Sequence, residues 1–217
     1  MDIQPNSKLL FIGDSITDYE RARPVGEGLF EALGKGYVSL VDGFLTVRYP
    51  EYRIRAVNMG VNGNTVRDLR ARWQTDVLDL KPDWLSICIG INDVWRQFDT
   101  PLVSESLVLL DEYKQTLDDL LGMTRPALKG VILMTPFVFE SNRKDAMRAR
   151  MDEYGAVVKQ MAEKYHAILV DTQVAFDQIL SYIHPTALGW DRIHPMNRIG
   201  HVVIARAFLQ AIGYEWA

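Results

Sequence analysis

Cysteine is nearly absent: Cys88 stands alone among 217 residues. The chain therefore cannot close a disulfide on itself, and a reducing, cytoplasmic setting is expected. Charge of one sign is not in excess either, since 24 basic residues face 28 acidic ones for a net −4. With no basic run to override that balance, a nucleic-acid partner held by bulk positive charge is excluded. No apolar stretch approaches the roughly 20 residues that cross a bilayer. Met1 to Ser7 is polar and lacks the apolar core of a secretory leader. Low-complexity tracts, Pro/Gly/Ser linkers and internal repeats are missing too, so one domain over residues 1–217 is expected. The four histidines and the lone cysteine show no metal-ligand spacing, and neither a metal nor another cofactor is expected.

What is present is an alternation of short apolar runs with longer amphipathic ones. Leu9 to Ile12, Ile54 to Asn58, Trp84 to Ile89, Val131 to Met134 and Ile168 to Val170 are each rich in aliphatic side chains. Runs apolar throughout suit strands covered on both faces. Between them, helical spacing predicts stripes at Val66, Leu69, Trp73, Val77 and Leu80, and at Leu107, Leu110, Tyr113, Leu117, Leu120 and Leu121. Two more follow at Met147, Met151, Tyr154, Val158 and Met161, and at Ile199, Val202, Val203, Ala205, Leu209 and Ile212. A further helix is read in Tyr37 to Tyr49, and Arg143 to Arg150 reads as a solvated helix face. The expected fold class is α/β: a three-layer α/β/α domain with a doubly wound, five-stranded parallel sheet.

Ligands of such sheets sit beyond the carboxyl ends of the strands. Gly13-Asp14-Ser15 follows the first strand, Gly60 to Thr65 the second and Gly90-Ile91-Asn92-Asp93 the third, while Asp191-Arg192-Ile193-His194-Pro195 precedes the last helix. A serine hydroxyl becomes a nucleophile when a base takes its proton, and His194 is the candidate base for Ser15. Asp191, three residues upstream, can accept the imidazole N–H and fix the tautomer. His184 has Ser181 at that spacing, and His166 and His201 fall in strand-edge and helix positions. The Ser15 N–H, the Gly63 N–H and the Asn92 amide are candidate oxyanion donors, with Gly60 an alternative to Gly63. Taken singly, each segment also admits a plainer reading. Gly-Asp-Ser can be a turn, Asp93 a helix cap, His194 another cap, and Asp191 a surface partner of Arg192 or Arg198.

Together these residues resemble the SGNH (GDSL-type) hydrolase superfamily, whose four blocks carry Ser, Gly, Asn and His. The matching residues are Ser15, Gly63, Asn92 and His194, with Asp191 completing the triad in the D-x-x-H-P block. Gly90 to Arg96 and Asn64 to Leu69 are similar to the intracellular acetylxylan-esterase branch. Ile16 replaces leucine in the first block, and Asn62-Gly63-Asn64-Thr65 replaces Ser-Gly-Asp-Thr in the second. The resemblance implies a flavodoxin-like fold, a serine esterase that deacetylates xylo-oligosaccharides, and a homo-oligomer built on dimers. Trp95 and Trp190 are candidates for stacking on sugar rings, or for packing in the core or between subunits.

Other readings fare less well. A P-loop fails because Gly28 stands six positions before Gly34 and Gly36 follows Lys35. The G-x-S-x-G elbow of α/β-hydrolases is missing. A lipase-like or thioesterase-like enzyme for longer acyl chains remains an alternative, as does a non-catalytic carbohydrate-binding protein on the same scaffold.

Overall fold

The computed structural model describes residues 1–189, 191–195 and 197–216. All five apolar runs are strands: β1 (Lys8–Gly13), β2 (Arg55–Asn58), β3 (Trp84–Cys88), β4 (Gly130–Met134) and β5 (Ile168–Val170). They pair in parallel in the order β2-β1-β3-β4-β5. Leu9, Leu10, Phe11 and Ile12 are all fully buried, so both faces of β1 require cover. The helices α1 (Ser15–Asp18), α2 (Tyr37–Arg48), α3 (Val66–Trp73), α4 (Ile91–Asp99), α5 (Leu110–Thr124), α6 (Ala146–Tyr165), α7 (Thr172–Leu180) and α8 (Arg198–Ala211) supply it. One layer joins α2 to α8 and α8 to α7; the other joins α3, α5 and α6. Among the described residues, no helix is long and apolar enough to cross a membrane.

The strand order reverses direction at the β1–β3 boundary, which opens the crevice typical of such sheets. Gly13 pairs with Cys88 there, so the residues after β1 and after β3 emerge side by side. The aperiodic segment after β1 is tied down by buried Asn58. Its amide donates to Thr17 O at 2.6 Å and Leu33 O at 2.8 Å.

Several expectations need correction. The stripe from Thr65 to Leu80 is not one α-helix, because Gln74–Leu78 forms a π turn closed by the Asp79 N–H on Gln74 O at 2.9 Å. The Thr75 hydroxyl donates to Arg72 O within it, competing for a helical carbonyl. Leu107 precedes α5 rather than joining its stripe. In α8, Ile199 and Val202 are 48% and 44% exposed, whereas Gly200, His201, Ile204, Ala205, Phe208 and Leu209 face inward. Polar His201 belongs to this buried stripe, at helical spacing from Ile204 and Ala205. Arg148 is no solvated residue: it is 2% exposed and paired with Asp177 through two bonds of 2.8 and 2.7 Å. His166 closes α6 in a left-handed cap instead of edging a strand.

Candidate active site

Ser15 is the first residue of α1, directly after β1, so its backbone N–H is one of the donors that a helix start leaves unpaired. Asp14 caps that turn by accepting the Ile16 N–H at 3.0 Å. Ser15, Gly63, Asn92, Trp95 and His194 line one cleft of about 500 Å³, together with Ile16, Tyr19, Asn62 and Arg96. Four segments distant in sequence therefore meet where the strand ends predict. No hydrogen bond joins the Ser15 hydroxyl to His194 directly; such bonds commonly tighten when substrate arrives.

Asp191 stands behind His194. Its Oδ2 lies 2.6 Å from His194 Nδ1, and its Oδ1 accepts the backbone N–H groups of His194 at 2.6 Å and Ile193 at 2.9 Å. With Nδ1 donating to the carboxylate, Nε2 is left as the acceptor. Partial burial pushes the Asp191 carboxyl up, but these donated hydrogen bonds outweigh it and hold the group below the usual carboxylate range. Arg192 does not compete for Asp191, since it pairs with Asp145 at 2.8 Å and Glu140 at 3.2 Å. The Phe139 N–H also donates to Arg192 O at 2.7 Å, so the loop after β4 braces the histidine loop. The other histidines have different work. His184 Nδ1 lies 2.9 Å from the Thr186 hydroxyl, and buried His201 accepts the Tyr37 N–H at 3.1 Å.

Two glycines had competed for one role, and the structure separates their surroundings. The Gly60 N–H donates inward to Asn58 Oδ1 at 2.9 Å, and a Cβ there would lie 2.2 Å from the Asp18 nitrogen. Gly63 lines the cleft with φ +75°, a backbone region that favours glycine, and its surroundings are open. Asn92, in the first turn of α4, donates one amide hydrogen to Asn64 O at 2.9 Å, which holds the Gly63 loop. A second amide hydrogen remains for the cleft. Half-buried Trp95 meets the His194 ring edge-on at 5.4 Å and is covered by the Arg96 guanidinium at 4.8 Å. Trp190 lies outside the described residues.

Sequence reasoning missed the supporting carboxyls. Asp93 caps α3, not its own helix, by accepting the Val66 N–H at 3.0 Å. Burial pushes Asp93 up to about 8 and Asp14 up to about 7, the latter against the Ile16 N–H and the nearby His194 ring. Tyr19 and Glu20, also on the cleft wall, carried no motif signal. Tyr19 also borders a separate cavity of about 590 Å³, lined by Glu31, Lys35, Ser39, Leu40, Asn197 and Arg198.

A doubly wound sheet with a serine, a carboxylate-bound histidine and convergent amide donors at its carboxyl edge defines the class of α/β ester hydrolases. The chain belongs to the GDSL-like lipase/acylhydrolase family, whose sequence profile matches residues 11–197. It is a carboxylic ester hydrolase. An acetylxylan esterase of Geobacillus stearothermophilus is 59% identical over 216 residues, covering 100% of this chain and 98% of that protein. The crystal structure of Axe2, an acetylxylan esterase from the same species, superposes with a TM-score of 0.98 at 58% identity, covering 100% of this chain and 99% of that one. An alpha/beta hydrolase from the metagenome of Lake Arreo, Spain, gives 0.98 at 55% identity, with both chains covered completely. Structures of Axe2 described as catalytic mutants carry S15A, D191A and H194A.

Proposed function

We propose that the protein removes acetyl groups from acetylated xylo-oligosaccharides, with Ser15 as nucleophile, His194 as base and Asp191 as its orienting partner. The observation that carries this reading is the 2.6 Å bond from His194 Nδ1 to Asp191, placed in the cleft that also holds Ser15. The Ser15 oxygen attacks the acetyl carbon while its proton passes to His194 Nε2. The negative charge that develops on the carbonyl oxygen is received by the N–H groups of Ser15 and Gly63 and by the Asn92 amide. Collapse breaks the bond to the sugar oxygen, which takes the proton back from His194. Water, deprotonated by the same histidine, then releases acetate from Ser15.

The numbers and residue types of the catalytic Axe2 variants coincide with Ser15, Asp191 and His194, which supports the assignment. Trp95, beside His194, is the surface on which a sugar ring would stack, and Trp190 is proposed for the same work. A dimer-based homo-oligomer in the cytoplasm completes the reading.

The test is acetate release from acetylated xylo-oligosaccharide beside 4-nitrophenyl esters of two, four and eight carbons. Acetyl preference with release from the sugar is expected, and Ser15→Ala should lower kcat by about 10⁴-fold or more. Faster turnover of the eight-carbon ester with none on the sugar would overturn the substrate. Full activity in Ser15→Ala would overturn the mechanism.

A further inference from the structure

Arg72 lies in the last turn of α3 and does not line the cleft, yet its guanidinium reaches the ends of two strands at once, gripping the loop after β2 at two points. Nη2 donates to Gly13 O at 3.0 Å, on the last residue of β1 and two before Ser15. Nη1 donates to Met59 O at 2.8 Å, on the first residue after β2, and to Asp76 Oδ2 at 2.7 Å. Nε donates to the Asn64 side-chain oxygen at 2.7 Å, on the neighbour of Gly63. The side chains of Arg72 and Asp76 are 16% and 19% exposed, so the charge is neutralised largely away from water.

We propose that Arg72 is a positioning residue for the oxyanion site, fastening the loop that carries Gly63 to the strand end that carries Ser15. The proposal rests on the esterase reading above. Asn64 is the junction: its side chain accepts from Arg72 and its backbone carbonyl accepts from the Asn92 amide. All three proposed oxyanion donors are therefore linked through one guanidinium and one asparagine. The geometry needs a planar group with several donors in fixed directions. A lysine ammonium, a single compact charge, cannot reach Gly13, Met59 and Asn64 together. Arg72 touches no reacting atom. Its contribution is to hold donors where charge appears in the transition state, so its loss should fall on kcat rather than on KM.

The experiment uses 4-nitrophenyl acetate, which reports acyl transfer whatever sugar the enzyme prefers. Arg72→Ala is expected to lower kcat about 10²-fold, the cost of misplacing one oxyanion donor, with KM changed by less than about threefold. Added guanidinium ion should restore part of that kcat, and Arg72→Lys should restore little. Asn64→Ala, which cuts the loop link while leaving the bonds to Gly13 and Met59, should lower kcat by about tenfold. In the double variant its effect should largely vanish. A folded Arg72→Ala with parental kcat, or a loss carried by KM and indifferent to guanidinium, would overturn the proposal. If Arg72→Ala fails to fold, parental kcat in Asn64→Ala overturns it and a kcat-selective loss there upholds it. Failure of the esterase reading is separate, because it shows as parental activity in Ser15→Ala.

Discussion

Asp14 precedes Ser15 and Asp93 follows Asn92, and each is buried with one carboxyl oxygen that finds no partner among the described residues. Burial raises Asp93 from an ordinary 3.8 to about 8, so the folded protein retains a proton that the unfolded chain releases above about pH 4. The stability this contributes is whole below the unfolded value and is lost as pH climbs through about 8. Asp93→Asn keeps an acceptor for the Val66 N–H and removes the ionisation. Its melting temperature relative to the parent should rise by about 10 °C more at pH 8 than at pH 5. An equal difference at both pH values, measured by calorimetry, would refute the buried-proton account. At this scale the meeting of Ser15, Gly63, Asn92 and His194 in one cleft is legible, because each follows or precedes an element whose end a chain reading locates. Asp93 and Arg72 are not, because a cap given to another helix and a guanidinium shared by two strand ends exist only in three dimensions.

Between elements, the least legible feature is the seam of α6 and α7. Arg148 looked like one of several surface charges on α6, yet it turns inward to Asp177 on α7, to Asp152 at 2.9 Å and to Glu140 O at 2.5 Å. Hydrophobic spacing cannot reveal this, because the partner lies on a different helix. Removing one member of a buried pair leaves the other uncompensated. Arg148→Met should therefore cost about 3 kcal/mol in urea unfolding, with acyl transfer by the folded fraction intact. A loss below about 1 kcal/mol would mean that Asp177 is well solvated without it. The α8 stripe holds at Ala205, Leu209 and Ile212 but not at Ile199 and Val202, because the buried face of the first turns is formed by Gly200, His201 and Ile204. The strands were read most faithfully, since a run apolar on both sides of a parallel sheet has few other uses.

For the whole molecule, the alternation of runs is enough for the three layers, while the order β2-β1-β3-β4-β5 is that of the flavodoxin-like fold which the family resemblance implies and the alternation alone does not. Strand neighbours depend on crossover paths that one sequence does not display. Large apolar side chains stand exposed in pairs, Leu29 with Phe30 and Leu102 with Val103, as surfaces covered by another molecule often do. The proposed oligomer predicts a light-scattering mass at an even multiple of 24.8 kDa, and a monomer at every concentration would remove it. A last consequence lies in where along the chain the cleft is drawn from. Ser15 belongs to the first strand's exit, while Asp191 and His194 arrive just ahead of α8. On a ribosome working at about 5–20 residues per second, the serine exists for roughly ten seconds or more before its base has been made. With Ser15 and His194 in the proposed roles, the chain thus holds no complete triad until nearly all of it has been synthesised.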